Sequence, residues 1–184
     1  MDGSIFFRIA SDLTFYPCEV LGYAFYRCFY HSKIRGRSRL RGIKKAILVS
    51  NHTTFLDPLL MSAAVFFRRT YHTLLEATVL SPFLGTFTRL LGGVPVPFDG
   101  DGPDRLIEGC KAAFKYRRFI HFYPEGECYL YSNQVRRFRQ GAFFLAARLN
   151  VPVVPMATIF HRQGPGSSRP QVELVVLNPI YPKD

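Results

Sequence analysis

The 184-residue sequence lacks the signatures of several common protein classes. It has no Cys-x-x-Cys pair and no Cys/His spacing of a zinc site, and no Gly-x-Ser-x-Gly segment, the nucleophile elbow of many serine hydrolases. It contains no internal repeat. The start, MDGSIFFRIASDL, lacks the charged region and the cleavage site of a secretory signal. We therefore expect the four cysteines to be reduced thiols in a cytosolic compartment.

Acidic residues are scarce as well. The chain holds 13 Asp and Glu against 24 Lys and Arg, so its formal net charge is +11 at neutral pH. This balance indicates an anionic partner, which can be nucleic acid, a phosphorylated substrate or an anionic membrane surface. Between positions 20 and 56 no acid occurs, and the basic residues there form a cluster: Arg27, Lys33, Arg35, Arg37, Arg39, Arg41, Lys44 and Lys45.

A long apolar run, the mark of a membrane-spanning helix, is missing too. Residues 5–30 are rich in Phe and Tyr, but their longest uncharged piece covers residues 20–26, far short of the roughly 20 apolar residues that a span needs. We expect two short amphipathic helices, broken at Pro17, whose aromatic faces lie in a membrane interface. A helical hairpin packed into the core is the alternative. The basic cluster that follows favours the membrane, so residues 1–35 are predicted to be a membrane-interface helical segment.

The rest of the chain alternates short apolar runs with helical patterns. Strands are predicted at Ala46–Ser50, Val94–Phe98, Phe119–Phe122, Val153–Ala157 and Val172–Leu177, and helices at Pro58–Phe67, Pro82–Leu91, Asp104–Tyr116 and Gln140–Leu149. Two prolines make the second of these strands an edge strand. This alternation predicts an α/β fold, with a mostly parallel central sheet and helices on both faces.

The first group of residues that can carry chemistry is Asn51-His52-Thr53-Thr54-Phe55-Leu56-Asp57-Pro58. It follows a predicted strand directly, and α/β proteins place their sites in loops at the carboxyl ends of strands. His52 can take a proton from a hydroxyl, while Asp57 holds the imidazole in one tautomer and stabilises the imidazolium. The alternative is structural, with Asp57 as the cap of a helix that starts at Pro58 and His52 as an ordinary loop residue.

The second group is Tyr123-Pro124-Glu125-Gly126-Glu127, which also follows a predicted strand. Pro124 and Gly126 predict a turn whose backbone can approach a ligand closely. Glu125 can orient a substrate or support the histidine. Taken alone, the same residues also fit a surface turn without a function.

Together the two groups resemble the glycerolipid acyltransferase family, which includes the 1-acyl-glycerol-3-phosphate acyltransferases. Five segments in order carry the resemblance: Ala46–Pro58, Pro82–Val96, Tyr123–Gly126, Arg139–Ala147 and Val151–Pro155. The order and spacing of these segments matter more than any one of them. The resemblance implies an acyltransferase α/β domain over residues 36–184, preceded by a membrane-binding helical segment of the kind such enzymes usually have.

What the resemblance implies is acyl transfer from a thioester, acyl-CoA or acyl-carrier protein, to a hydroxyl of a lysolipid. His52 is then the general base and Asp57 its orienting partner, without a covalent acyl-enzyme, a metal or a bound cofactor. Asn51, Glu125 and Gly126 are expected to contact substrate, and backbone amides near the last two are a candidate source of oxyanion stabilisation. The expected location is the cytoplasmic face of a membrane, peripheral or monotopic, with no nucleic-acid partner.

Two other functions stay open at this point. A basic module without catalysis that binds anionic lipid or nucleic acid would explain the charge, but not the combination of His52 and Asp57. A thioester hydrolase would use the same pair to activate water in place of a lysolipid hydroxyl.

The sequence departs from the family pattern at two places. Where phosphate-handling relatives carry an arginine, this chain has Phe98, followed by Asp99. After the Pro-Glu-Gly turn it has Glu127-Cys128, where such relatives usually have Thr-Arg. Arginines at these places are expected to hold the acceptor's phosphate through bidentate, charge-assisted bonds.

These departures lead to a prediction about the acceptor. Lysophosphatidic acid should be a poorer acceptor than a lysolipid with a zwitterionic or amino-acid headgroup, because Glu127 would lie near the headgroup and repel a phosphomonoester. Arg136, Arg137 and Arg139 are alternative ligands for a phosphate. A solvated basic face is the other interpretation of these three arginines.

Overall fold

The computed structural model describes residues 5–65, 68–82, 84–96, 102–116, 118–164 and 169–183. The helices are α1 (Ile5–Tyr30), α2 (Asp57–Ala64), α3 (Glu76–Leu80), α4 (Gly85–Leu90), α5 (Gly102–Tyr116) and α6 (Gly141–Leu149), with a 3-10 helix at Arg37–Leu40. The strands are β1 (Lys33–Arg35), β2 (Ala46–Ser50), β3 (Thr70–Leu75), β4 (Gly93–Val96), β5 (Phe119–Phe122), β6 (Val153–His161) and β7 (Gln171–Val176). None of the described helices combines the length and the apolar character needed to cross a membrane.

Seven strands form one sheet in the order β1-β7-β6-β2-β5-β3-β4. Every neighbouring pair is parallel except β6 and β7, which run antiparallel. The predicted α/β fold with a mostly parallel sheet is therefore confirmed. β2 lies at the centre between β5 and β6, and all five of its residues are buried, which explains its uninterrupted apolar sequence.

The register of the central strands positions the loops that follow them. Val49 pairs with Phe122 and Ser50 pairs with Met156, so the chain leaves β2 and β5 at the same level of the same sheet edge. The loops that begin at Asn51 and Tyr123 therefore start side by side.

Helices cover both faces of the sheet, as predicted. Side chains of α1 and α2 pack on one face in a buried cluster that includes Tyr26, Leu48, Leu60, Met61 and Leu174. Side chains of α5 and α6 pack on the other face in a second cluster that includes Ile47, Cys110, Phe114, Ile120 and Leu145. Each such aliphatic or aromatic side chain contributes about 1.5–3 kcal/mol by leaving water, so the two clusters hold the helices on the sheet.

The N-terminal segment corrects one prediction. Residues 5–30 form one continuous helix with Pro17 inside it, so both the break at Pro17 and the alternative of a helical hairpin are wrong. Its buried residues form one stripe that runs across the proline: Ser11, Phe15, Glu19, Gly22 and Tyr26. An interior proline costs a helix about 3 kcal/mol, and packing of this stripe on both sides of it offsets that cost.

Gly22 explains why α1 lies so close to α2. A β-carbon at this position would lie 2.8 Å from Cδ1 of Leu59, so a side chain there would force the helices apart. A glycine inside a helix costs about 1 kcal/mol relative to alanine, and here it permits the close contact. α1 is thus packed onto the domain along most of its length.

Other elements differ from the prediction in extent. The helix expected at Pro58–Phe67 begins at Asp57 and ends at Ala64, while residues 66 and 67 lie outside the described part of the chain. β3 was not predicted, because its sequence, Thr-Tyr-His-Thr-Leu-Leu, places polar side chains at interior positions. The edge position of β4 is confirmed by its pairing with β3 alone among the described strands. Phe98 and Asp99 lie outside the described residues.

Candidate active site

The imidazole of His52 lies at the carboxyl edge of the sheet, directly after β2. Its Nδ1 is 3.0 Å from Oδ2 of Asp57, a residue with no exposed surface, whereas 20% of the His52 side chain is exposed. Because Nδ1 donates its proton to this carboxylate, Nε2 is left as the acceptor nitrogen of the neutral ring. A partly exposed imidazole backed by a buried carboxylate is an arrangement that can serve as a general base.

The Asp57 carboxylate is held by the loop that precedes it. Oδ2 also accepts hydrogen bonds from the backbone N–H groups of Thr53, at 2.5 Å, and Thr54, at 2.9 Å. Oδ1 accepts from the hydroxyls of the same two residues, at 3.1 and 2.8 Å. The expected role as helix cap is corrected here, since Asp57 is itself helical, Leu56 occupies the cap position, and the carboxylate reaches back to the loop.

Tyr123 places the second loop against the histidine. Its ring stacks on the imidazole of His52, with 3.9 Å between the centroids and 19° between the planes. Burial, followed by the nearby Asp57 carboxylate, raises the pKa of Tyr123 well above its usual value of 10, so the phenol stays neutral. The two predicted groups of residues therefore meet at this stacked pair.

Glu125 connects the two loops to the basic segment downstream. Its Oε2 accepts the backbone N–H of His52 at 3.4 Å, and its Oε1 accepts the backbone N–H of Arg136 at 3.0 Å. The residue is 8% exposed. These contacts fit a supporting role for the carboxylate, in which it fixes the backbone beside the imidazole.

Gly126 and Arg139 form a close contact at the turn. Gly126 has a φ of 78°, and a β-carbon there would lie 2.8 Å from the Arg139 guanidinium carbon, so glycine is needed for two reasons. The backbone N–H of Arg139 donates to the Pro124 carbonyl at 2.8 Å. The Gly126 N–H donates to the Tyr123 carbonyl at 3.0 Å and closes the turn, so this amide is already engaged.

The other predicted substrate contacts are spread around the turn. The Arg136 guanidinium lies 3.8 Å from the ring centroid of Tyr129, whose hydroxyl donates to Glu127 at 2.8 Å. Arg137 is exposed.

Asn51 is buried, and its side-chain amide bonds both backbone groups of Thr158 on β6, at 2.9 and 2.8 Å. Asn51 therefore ties the end of β2 to β6.

Several residues of this region carried no signal in the sequence. Backbone bonds join Tyr129 to His52 at 2.9 Å and Tyr131 to Thr53 at 3.0 Å, so the segment after the turn covers residues 51–57. We call these residues the catalytic loop after the predicted role of His52. Two buried histidines, His72 and His121, contact each other, and His121 meets the Tyr123 ring edge-on with 4.4 Å between the centroids. Both histidines are in strands, and no spacing relates them to the two motifs.

No metal centre is found in this region or elsewhere in the described ranges, where no three His, Cys, Asp or Glu side chains converge as ligands would. All four cysteines are free thiols. The site is thus composed of one histidine–carboxylate pair, an aromatic support and a group of arginines.

Exposed apolar side chains occur on α1 and in the loop that follows β2. On α1 an outward stripe is formed by Ile5, Ile9, Leu13, Tyr16 and Val20, which we call the apolar stripe. In the catalytic loop, Phe55 is 79% exposed and Leu56 is 43% exposed. Adjoining exposed apolar side chains of this kind mark a candidate surface for contact with a lipid or a protein.

Known acyltransferases are similar to this chain in sequence. The family model described as Acyltransferase matches residues 31–159. A 1-acyl-sn-glycerol-3-phosphate acyltransferase of Saccharomyces cerevisiae is 30% identical over 142 residues, which are 71% of this chain and 46% of that protein. The chloroplastic 1-acyl-sn-glycerol-3-phosphate acyltransferase BAT2 of Brassica napus is 26% identical over 166 residues, 83% of this chain and 46% of that protein. This chain thus spans about half the length of these relatives.

A solved structure shares the fold. The crystal structure of PlsC, the 1-acyl-sn-glycerophosphate acyltransferase of Thermotoga maritima, matches with a TM-score of 0.65 and 20% sequence identity. The match covers 94% of this chain and 71% of that chain. The match includes nearly all of the α/β architecture. At this sequence identity it supports the assignment of the fold and no statement about function.

Proposed function

The chain belongs to the acyltransferase family, and on that premise we propose that it transfers a fatty acyl group from a thioester, acyl-CoA or acyl-carrier protein, to a hydroxyl of a lysophospholipid or related lysolipid. The observation that carries the proposal is the His52–Asp57 pair, with its 3.0 Å contact and its fully buried carboxylate. Such a pair does the work that acyl transfer to an alcohol requires, which is removal of the hydroxyl proton during attack.

The proposed reaction has two steps. Nε2 of His52 takes the proton of the lysolipid hydroxyl while its oxygen attacks the thioester carbonyl, forming a tetrahedral oxyanion and an imidazolium that Asp57 stabilises. The intermediate then collapses, the carbon–sulfur bond breaks, and the imidazolium returns the proton to the leaving thiolate. An ester and a free thiol are the products, and no bound cofactor takes part.

Tyr123 and Glu125 act in this scheme as supports. The Tyr123 ring limits rotation of the imidazole by stacking on it, and Glu125 holds the backbone N–H of His52. Holding a base in one geometry lowers the entropy that the reaction must otherwise lose. We assign no direct contact with the reacting atoms to either residue.

Arg139 is our candidate for binding the acceptor's phosphate. Its guanidinium lies over Gly126, on the loop whose Tyr123 ring stacks on His52, so it provides a cation at the site. A phosphodiester carries one negative charge near the ester oxygens, which suits a single arginine and tolerates Glu127 nearby. A zwitterionic lysophospholipid therefore fits this arrangement better than the doubly charged phosphomonoester of lysophosphatidic acid.

We further propose that the protein binds the cytoplasmic face of a membrane as a peripheral or monotopic enzyme. The apolar stripe of α1 would enter the interface, and the basic residues at 27–45 would attract anionic lipids. Residues 1–35 then form the membrane-interface segment and residues 36–184 the catalytic domain. Not every cation in the cluster is free for lipid, because Arg35 pairs with Glu173 at 2.5 Å and Arg39 bonds the Val176 carbonyl at 2.9 Å.

The experiment that tests the function measures thiol release from an acyl-CoA, with and without a panel of lysolipids. Release that requires an acceptor and is lost in His52→Ala supports acyl transfer. Release without an acceptor identifies a thioester hydrolase, and no release with either acyl-CoA or acyl-carrier protein leaves a binding module. The matched control is His31→Ala, which removes an exposed histidine outside the site.

A further inference from the structure

A row of buried polar side chains runs from α1 through the core to the catalytic loop. We call it the buried polar chain, and its members are Glu19, Ser62, His72, His121 and Ser50, each no more than 4% exposed. The Glu19 carboxyl group faces the Ser62 hydroxyl, which opposes the rise in its pKa, and Glu19 Oε1 has no hydrogen-bond partner among the described residues. The remaining links are 2.7 Å from Ser62 Oγ to His72 Nε2, 3.3 Å between the two Nδ1 atoms of the histidines, and 2.9 Å from His121 Nε2 to Ser50 Oγ. The chain ends where the Ser50 hydroxyl donates to the Asn51 carbonyl at 3.1 Å.

Both histidines of this chain are neutral. Burial lowers the pKa of His72 to about 4, and burial together with the neighbouring histidines lowers the pKa of His121 well below 6.5. The two facing Nδ1 atoms share one proton, because two protons would repel and none would leave two lone pairs opposed. The tautomer of one ring therefore dictates the tautomer of the other.

This constraint allows the hydrogen bonds of the buried polar chain to run in only two directions. In the first, Glu19 donates to Ser62, Ser62 to His72, His72 to His121, His121 to Ser50, and Ser50 to the Asn51 carbonyl. It requires a protonated Glu19, because the Ser62 proton is already committed to the imidazole. In the second, every bond is reversed, Ser62 donates to an ionised Glu19, and Ser50 donates to His121 instead of the Asn51 carbonyl. The change releases one proton, that of Glu19.

We propose that the buried polar chain positions His52, and that the protonation state of Glu19 sets its direction and so couples α1 to the catalytic loop. The Asn51 carbonyl belongs to the peptide group whose N–H is that of His52, so the bond from Ser50 orients this peptide. His121 also supports the Tyr123 ring that stacks on the imidazole. The effect on turnover rests on the proposed role of His52 as the base, whereas the two directions of the chain do not.

The surroundings of the chain place the switch near neutral pH. Burial raises the pKa of Glu19 to about 8, against opposing effects of the Ser62 hydroxyl of α2 and the Arg37 cation of the 3-10 helix. His72 faces Ser62 and His121, and His121 faces His72, Ser50, Tyr123 and His52. Among these groups Glu19 is the carboxyl that exchanges a proton with solvent as the chain reverses.

The test combines two measurements on the 184-residue protein between about pH 6 and pH 9.5. Nitrogen-15 chemical shifts of the histidine rings report which nitrogen carries the proton. We expect His72 protonated at Nδ1 and His121 at Nε2 below the switch, with both tautomers exchanged above it. In Glu19→Gln, whose amide donates to Ser62 at every pH, the first state should persist throughout. The matched control, Glu108→Gln, changes an exposed glutamate on α5 and should switch like the wild type.

The kinetic measurement follows kcat and KM over the same range. We expect the wild-type kcat to fall about tenfold or more above the switch with little change in KM, and Glu19→Gln to lose this decline, because a displaced base slows chemistry without weakening binding. Ser62→Ala, which breaks the chain without altering charge, should lower kcat at all pH values and provides the test if Glu19→Gln does not fold.

The outcomes separate this inference from the proposed function. Tautomers that stay constant across the pH range in the wild type would overturn the buried polar chain as a switch. Tautomers that exchange while kcat stays flat would overturn its positioning role. If His52→Ala retains full activity while the tautomers of His72 and His121 still exchange in it, the general base is misassigned. The two directions of the buried polar chain are then still supported.

Discussion

Replacing Asp57 by asparagine separates the charge of the carboxylate from its hydrogen bonds. In the wild type, Oδ2 accepts from three N–H groups, those of the His52 ring and of the Thr53 and Thr54 backbones, and Oδ1 accepts from two hydroxyls. An asparagine oxygen can keep the three N–H donors, and its NH₂ group can donate to the hydroxyls after they rotate. The number of bonds is preserved and the charge is lost.

The two consequences of Asp57→Asn differ in size. Charge-assisted bonds are roughly twice as strong as neutral ones, so we expect the free energy of unfolding to fall by about 1–3 kcal/mol. Turnover should fall by a factor of about 10²–10⁴, because the imidazolium formed during attack loses its counter-charge. Asp57→Ala would leave several buried donors unpaired and should cost more stability, about 3–5 kcal/mol.

The assay for Asp57→Asn measures kcat by thiol release and stability by urea unfolding on the same preparation. Its control is the double variant His52→Ala with Asp57→Asn. If Asp57 acts through His52, the double variant should be no slower than His52→Ala, since the carboxylate has nothing left to support. Multiplied losses in the double variant, or a wild-type rate in Asp57→Asn, would refute the assigned roles.

Four further predictions concern the turn, the membrane, the acceptor and the buried carboxyl. Gly126→Ala should lower kcat and destabilise the fold by about 1–3 kcal/mol, measured by urea unfolding, because φ is 78° and Arg139 occupies the space. Arg41→Glu with Lys44→Glu should weaken sedimentation with anionic vesicles at low salt, unlike the same charge change made on the far helices at Lys111 and Arg148. Competition between lysophosphatidic acid and a zwitterionic lysophospholipid should favour the latter, and Glu127→Thr with Cys128→Arg should shift the preference back. The stability of the wild type relative to Glu19→Gln should fall by about 1.4 kcal/mol per pH unit as pH rises from about 5 to 8, because the native state keeps a proton that the unfolded state releases.

The central architecture could be predicted because its elements carry strong local patterns. β2 is a buried strand of five residues, and α5 repeats apolar residues at helical spacing through Ile107, Cys110 and Phe114. The predicted family membership is likewise confirmed. The catalytic pair could be proposed because one loop holds both residues.

What escaped prediction depends on contacts between distant segments. The continuity of α1 across Pro17 is maintained by packing against α2 and α4, which no local rule contains. β3 has buried polar side chains because His72 finds partners in Ser62 and His121, which are 10 and 49 residues away. The close contact of Arg139 with Gly126 escaped prediction for the same reason, since both were candidate site residues but nothing in the sequence pairs them.

The anchoring of α1 has a mechanical consequence. Its Tyr26 hydroxyl lies 3.0 Å from the Thr54 hydroxyl in the catalytic loop, and the strand that follows α1 pairs with β7 at the edge of the sheet. If the helix lies on a lipid surface, as proposed above, lateral tension on it would reach this loop through the contact between Tyr26 and Thr54. A change in the tilt of the helix would then move this loop, and with it the height of the imidazole and the direction from which a hydroxyl can approach it.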